Sequence, residues 1–244
     1  MTLREELGFG VAAIALATAV GGALTYAALS AGSQIFGHTL VAGDDPNEVA
    51  LTYDDGPNDN ATDAVLDLLA RHNTRASFFM IGQFVRQRPE IVRRVHAAGH
   101  LVGNHTQTHP WLHLKPERVI REELRGCSEA IEDAIGAPVR YFRAPHGARR
   151  PAVLRIAREL GMKTVQWNTM GHDWQAIGVE AMLANVERGR ERARRRGVGA
   201  NILLHDGHDV TMGSDRAGTL QLTAHLLESF GREGVRTVTV DAWG

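Results

Sequence analysis

The stretch Glu48-Val49-Ala50-Leu51-Thr52-Tyr53-Asp54-Asp55-Gly56-Pro57 decides how the rest of the 244-residue chain is to be read. An apolar run leads into two adjacent carboxylates, and a Gly-Pro turn follows. Neighbouring residues of an extended chain point to opposite sides. One Asp can therefore hold a metal while the other faces a reacting group. Side by side, two ionised carboxylates repel, so a positive charge is expected nearby.

Working outward, apolar strand-like runs alternate with amphipathic helical stretches. Strands are expected at Glu48–Tyr53, Arg75–Met80, His100–Gly103, Val139–Arg143, Met162–Trp167, Asn201–His205 and Val235–Val240. Helices are expected at Asp59–Arg71, Phe84–Ala98, Pro116–Ile135, Pro151–Leu160, Val179–Arg196 and Asp215–Arg232. Pro116 and Pro151 suit first helical turns. Gly99, Gly136, Gly161, Gly197 and Gly234 follow helix ends, where a left-handed cap favours Gly. Seven strands alternating with helices predict an α/β fold on a parallel sheet, open or closed into a barrel. Chemistry then gathers beyond the C-terminal ends of the strands. Asp54, Asp55, His105, Arg143, Asp173 and His205 all fall there.

Composition narrows the classes. Net charge is −1, so no global field points to nucleic acid. The single cysteine, Cys127, excludes an intrachain disulfide and sits at helical spacing among Val119, Ile120, Leu124, Ile131 and Ile135, as a core thiol would. Twelve histidines are an ample supply of metal ligands or acid–base groups.

The N-terminus reads differently from the rest. No charged residue occurs from Gly8 to Gly37, and Phe9 to Ala31 is apolar or small. At ~1.5 Å per residue that stretch could cross a ~30 Å hydrocarbon core. Arg4 precedes it and no Lys or Arg follows until Arg71, which orients the N-terminus inside and the domain outside. Residues 8–31 are expected to act as a membrane tether, within a signal-anchor or signal-peptide segment spanning 1–40; the catalytic domain spans 41–244. The run is long for a signal peptide, which favours the anchor. Cleavage at Ala28-Leu29-Ser30 would instead release the domain, and a buried helix of the domain is the third reading. The expected location is the cell envelope, membrane-anchored outside the cytoplasm, or secreted if the segment is cleaved.

His105-Thr106-Gln107-Thr108-His109 carries two imidazoles four residues apart. One helical turn would place both on one side for a single ion. Pro110 disfavours helical geometry at His109, so a turn is expected instead. With Asp55 they make a two-His, one-carboxylate set with open positions, as at a catalytic metal site. Arg143 can hold a carboxylate by two hydrogen bonds and is the candidate cation for Asp54. Asp173, if paired with His205, would fix that imidazole's tautomer and raise its pKa, making a general acid. Trp174 is either core or a wall for an apolar group or sugar face.

These motifs resemble, in order, those of the polysaccharide deacetylases, the NodB-homology domain of carbohydrate esterase family 4. They are Thr52-Tyr53-Asp54-Asp55-Gly56-Pro57, His105 to His109, Arg143-Ala144-Pro145-His146-Gly147, Asp173-Trp174 and Leu204-His205-Asp206. The likeness runs from about Glu48 to Val240 and includes Ala76 to Gly82 and Gly99 to His105. It implies a deformed parallel (β/α) barrel, TIM-like, with about seven strands. It implies that Asp55, His105 and His109 bind a divalent metal, usually Zn, sometimes Co or Mn. Asp54 is then the base that takes a proton from the attacking water, and Arg143 positions it. The backbone N–H at His146 assists the oxyanion, and His205, tuned by Asp173, protonates the departing amine. Trp174 and Leu204 line the acetyl pocket. Where this chain has His146 the family often has Tyr, so the sugar contact there is expected to differ. Short connections predict an open, shallow site.

The expected activity is metal-dependent removal of N-acetyl groups from an amino-sugar polymer or oligomer such as peptidoglycan or a chitin-like chain. The alternatives are an O-acetyl esterase on xylan-type polysaccharide, a non-catalytic carbohydrate-binding relic, or a small-amide hydrolase on a related barrel. Every ligand and the base are present, which weighs against a relic. No protein partner is inferred. His172 and His113 read as surface or loop residues. The six arginines within Glu187–Arg196 read as a solvated helix, with contact to anionic lipid or cell-wall polymer as the other possibility.

Overall fold

The computed structural model describes residues 20–244. Helical turns over residues 20–29 (α1) come first. The remainder alternates as β1 (Glu48–Gly56), α2 (Thr62–Arg71), β2 (Ser77–Met80), α3 (Gly82–Gln87), α4 (Pro89–Ala97), β3 (Leu101–Asn104), α5 (Glu117–Ile135), β4 (Tyr141–Phe142), α6 (Pro151–Glu159), β5 (Lys163–Thr164), β6 (Thr169–Met170), α7 (Val179–Arg195), β7 (Ala200–His205), α8 (Ala217–Glu233) and β8 (Arg236–Thr237). All strand pairs are parallel, in the order β5-β4-β3-β2-β1-β7-β6, with β8 beside the start of β1. This is the deformed (β/α) barrel.

β1 sits at the centre and is buried along its whole length. That is why it carries an apolar run, Val49 to Leu51, with no polar alternation: both faces of a parallel strand are covered. Val49, Leu51 and Tyr53 enter the main core with Phe78, Met80, Ile202 and Leu204. Tyr53 stacks on Phe78 at 5.1 Å and its hydroxyl meets Thr223 Oγ1 at 3.0 Å.

Two expected elements are divided in the structure. The helix expected over Phe84–Ala98 is two helices, broken at Arg88 (φ −136°, ψ 54°) because Pro89 keeps the preceding residue out of helical geometry. The strand expected over Met162–Trp167 is only Lys163–Thr164 and is followed by a second strand, Thr169–Met170. Those two lie at opposite ends of the sheet. Thr164 and Thr169 are five steps apart, which limits their separation to about 18 Å at ~3.6 Å per residue. The sheet must therefore curl until its edges nearly meet. Gln166 occupies the seam: its N–H donates to Leu40 O (2.8 Å) and its carbonyl accepts from Asn201 Nδ2 on β7 (2.7 Å). Chain, rather than strand pairing, closes this barrel.

Cys127 is buried in the core, as expected. Gly136 and Gly234 cap α5 and α8 in the left-handed conformation, at φ 68° and 67°. The arginine-rich α7 pairs along its own length, Arg190 with Glu187 and Arg194 and Arg195 with Glu191.

Residues 8–19 of the apolar N-terminal stretch lie outside the described residues. Among the described residues no helix is long and apolar enough to cross a membrane. The chain after α1 packs on the barrel. Buried Arg149 donates its backbone N–H to Ala28 O (3.0 Å) and its guanidinium to Ser30 O (2.8 Å) and Ser33 O (2.7 Å). Leu40 bridges to Val165 at the barrel seam.

Candidate active site

Asp54 and Asp55 end β1, His105 follows β3, Arg143 follows β4, Asp173 follows β6 and His205 ends β7. Strand register then sets the first contact: Asp54 lies directly opposite His205 on the neighbouring strand.

Asp55 leaves the extended conformation (φ 73°), which swings its carboxylate toward the imidazoles. Its Oδ1 lies 3.4 Å from His105 Nε2 and 3.2 Å from His109 Nε2. That oxygen is buried and has no hydrogen-bond partner. One ligand atom from each of Asp55, His105 and His109 falls within 4.8 Å of the others. Residues 105–110 form a turn rather than a helix, with Thr106 (φ 70°) and His109 (φ 59°) in left-handed geometry. The His105 Nδ1–H donates to Arg143 O (2.9 Å), which leaves Nε2 facing Asp55. His109 Nδ1 lies 3.6 Å from Asp209 Oδ2. An orphaned carboxylate oxygen facing two imidazole nitrogens, one of which is held by a carbonyl behind it, fits a divalent cation.

The charges agree with that reading. Burial would push Asp55 up, but contact with the His105 imidazole and the nearby histidines holds it well below the usual carboxylate range. Burial, then the neighbouring His105, pushes His109 down to about 3, so its imidazole is neutral at any ordinary pH.

Asp54 has a separate partner. Arg143, fully buried, donates from one terminal nitrogen to Asp54 Oδ1 (2.7 Å) and Thr52 Oγ1 (2.8 Å). Its guanidinium carbon sits 4.2 Å over the Phe79 ring. Burial pushes Arg143 down and Asp54 pulls it back. The other Asp54 oxygen, Oδ2, lies 3.8 Å from His105 Nε2, beside the ligand set.

His205 and Asp173 are joined as the sequence predicted. The His205 Nδ1–H donates to Asp173 Oδ1 (2.9 Å), and Asp173 Oδ2 accepts from the His205 N–H (2.8 Å) and Thr219 Oγ1 (2.8 Å). Burial opposes charge on His205, but Asp173, with Asp55 and Asp54 behind it, wins and pushes His205 up to about 9.

A cavity of about 470 Å³ joins these groups; Asp54, Asp55, His109, His146, Trp174 and His205 are on its wall. Trp174 is 46% exposed and its ring meets His205 edge-on at 5.1 Å. His146 (φ 58°) sits in a tight turn, and its N–H donates to no backbone group among the described residues. Leu204 is not at the cavity. It points into the core, and Leu203 lines the cavity instead. The reason is the period of two: Leu203 and His205 share a face of β7, and Leu204 faces the other way. That alternation was available in the sequence. Asp209, Met170 and Arg216 also reach the cavity and were not anticipated. Asp209 follows His205-Asp206 by three residues, but nothing in its local sequence says that it faces His109.

Left-handed backbone outside glycine concentrates here. Six such residues occur among those described, and Asp55, Thr106, His109, His146 and His172 are at or beside the site. Such conformations persist where the surrounding structure over-determines them.

Fold and site together define a member of a deacetylase lineage, and the comparisons agree. The polysaccharide deacetylase family pattern matches residues 42–165, and the chain belongs to that family. It is 36% identical over 193 residues to a chitooligosaccharide deacetylase from Bradyrhizobium sp. (strain ANU 289), covering 76% of this chain and 85% of that one. Its fold is similar to the Bc1960 peptidoglycan N-acetylglucosamine deacetylase, with TM-score 0.74, 29% identity, and 83% and 91% of the two chains covered. It is also similar to a mutant of a CE4 family pseudoenzyme from Bacillus anthracis with restored activity, with TM-score 0.71, 26% identity, and 85% and 69% covered.

Proposed function

We propose that this protein is a metal-dependent hydrolase that removes N-acetyl groups from an amino-sugar polymer or oligomer of chitin-like or peptidoglycan type. The observation that carries the reading is the division of labour between adjacent carboxylates. Asp55 turns its orphaned oxygen to His105 and His109, while Asp54 is held by Arg143 with its second oxygen beside them. A pseudoenzyme shares this fold, so the fold alone does not carry activity; the retained residues do.

Asp55, His105 and His109 would hold the cation, with Zn favoured by the nitrogen-rich set and Co or Mn as substitutes. A cation held there supplies polarisation of the acetyl carbonyl and acidifies water. Asp54 Oδ2 accepts the proton of the attacking water. Arg143 fixes that carboxylate so that no reorientation is needed. The His146 N–H offers a hydrogen bond to the developing oxyanion. His205, with Nδ1 committed to Asp173, presents its other nitrogen to the leaving group and gives it a proton. Leu203, Met170 and Trp174 supply the apolar wall for the acetyl methyl.

An amine is expelled only when protonated, whereas an alkoxide leaving group depends less on an acid. Asp173 pushes His205 up and so keeps a proton available for a departing amine.

A cell-envelope location with residues 8–31 as tether belongs to the same proposal. Arg149's hold on Ala28 and Ser30 supports an uncleaved segment, since removal at Ala28-Leu29-Ser30 would take Ser30 O from its buried guanidinium and Ala28 O from its backbone N–H.

Acetate release by metal-loaded protein on chitooligosaccharides, peptidoglycan fragments and acetylated xylan tests the reading. Release is expected from the first two, lost on chelation and restored by Zn²⁺ or Co²⁺. Bound metal with no release from any substrate would establish the non-catalytic relic instead.

A further inference from the structure

We propose that Trp111, stacked on His146, is a sugar-binding platform for the pyranose next to the one whose acetamide reacts, so that the enzyme selects linked chains over single sugars. This rests on the amino-sugar reading above.

Trp111 follows the metal-ligand turn by two residues and leads into the short turn Leu112–Leu114. Leu112 is fully buried, which anchors the backbone at that point. The indole lies flat on the His146 imidazole, with centroids 3.8 Å apart and planes 16° apart. His146 in turn meets His109 edge-on at 4.7 Å. The indole is thus two ring contacts from a metal ligand and lies just outside the cavity wall. It remains 45% exposed, with one face covered by His146. His113 touches it only edge-on, at 5.6 Å.

A large, flat, exposed apolar face is costly in water and is well matched to the C–H face of a pyranose. A cavity of about 470 Å³ accommodates the reacting sugar and its acetamide. The following unit of a chain would then cross the rim, and on the His146 side of that rim Trp111 offers its open face. On the opposite side the exposed Trp174 meets His205. The cleft is therefore flanked by an indole on the metal-ligand side and another on the acid side. The platform is a two-ring composite: His146 holds the indole at a fixed tilt, and the indole supplies the contact area. Both groups are uncharged or weakly charged, as suits a neutral glycan.

The test compares wild type, Trp111→Ala and Trp111→Phe on GlcNAc oligomers of two to five units, measuring kcat, KM and metal content. In wild type kcat/KM is expected to rise about tenfold with the added unit that reaches the indole. Trp111→Ala should lose that rise through KM, with kcat and metal content unchanged, and Trp111→Phe should keep most of it. An unaltered chain-length profile in Trp111→Ala, or an equal loss at every length, overturns the proposal. If wild type releases no acetate from any oligomer, the functional reading has failed and the platform is judged by binding alone. The probe is then chitotetraose titrated into Asp54→Asn protein, followed by the Trp111 indole N–H resonance. A shift of that resonance, with about tenfold weaker binding in the Asp54→Asn/Trp111→Ala double variant, upholds the platform. Equal affinity sinks it.

Discussion

At the scale of single residues, the strongest dependence is on the buried pair Arg143–Asp54. Removing one partner of a buried ion pair leaves an uncompensated charge, at a cost of about 3–5 kcal/mol. Arg143→Leu is expected to lose about that much in denaturant unfolding, with activity lost as well. Asp54→Asn keeps a similar shape and an acceptor for Arg143. It should retain metal content and fold, with stability lowered because buried Arg143 then has only an uncharged partner, while kcat falls by roughly 10²–10⁴, the usual contribution of general acid–base groups. Wild-type turnover in that variant would remove Asp54 from the mechanism. His205 sets the alkaline limb of activity. Its acid form is the charged one, and its pKa is raised from 6.5 to about 9, so activity falls as pH rises through the folded value. A cation held by Asp55 offsets part of the carboxylate contribution, which places the limb at or below about 9. In Asp173→Asn the main source of the raise is gone, and the limb should move toward 6.5 in a kcat–pH profile. A limb that stays put would show that another group is the acid.

Among elements, the turn Pro145–Gly147 aims both the His146 N–H and the ring beneath Trp111. Gly147 has φ 64°, and a Cβ there would stand 2.7 Å from the Trp167 ring. An Ala side chain therefore meets two penalties together: left-handed strain of roughly 1–2 kcal/mol and overpacking of roughly 1–3 kcal/mol. Gly147→Ala is expected to lower Tm and to reduce kcat more than it raises KM for short substrates, since the N–H acts on the oxyanion. Element types were largely legible, because buried parallel strands read as apolar runs and helices keep their 3.6 period. Their limits were less so. Pro89 carried a readable signal for the break at Arg88. The division of Met162–Trp167 into β5 and a linker, with β6 beyond it, carried none, since each strand is only two residues long and its partner lies far away in sequence.

On the scale of the whole molecule, residues 28–40 belong physically to the barrel. Arg149 reaches across to Ser30 and Ser33, and Leu40 to Val165. A chain of residues 35–244 leaves that guanidinium short of acceptors compared with 20–244. Hydrogen bonds to charged groups are worth about 1.5–3 kcal/mol each, and about 2–4 °C of Tm follows each kcal/mol at this size. The shorter chain should melt several degrees lower in a thermal scan.

By itself the sequence determined that Asp54 and Asp55 end an apolar strand, that histidines lie where a cation could join them, and that the groups Arg143, Asp173 and His205 fall at the same end of the sheet. Local rules suffice for this: alternation along a strand, turn residues, and the position of strand ends. The tertiary structure supplied the contacts through which the partners named from the sequence meet. Asp54 meets His205 through strand register, Asp55 turns to the imidazoles through a left-handed backbone, and β5 and β6 bend the sheet until its edges nearly meet. Leu203 replaced Leu204 at the cavity because one residue of register exchanges the faces of a strand. The two carboxylates that began as a pair of like charges end with different counterparts, a histidine pair for one and a buried arginine for the other. That separation depends on contacts up to about 150 residues apart along the chain, which no local pattern encodes.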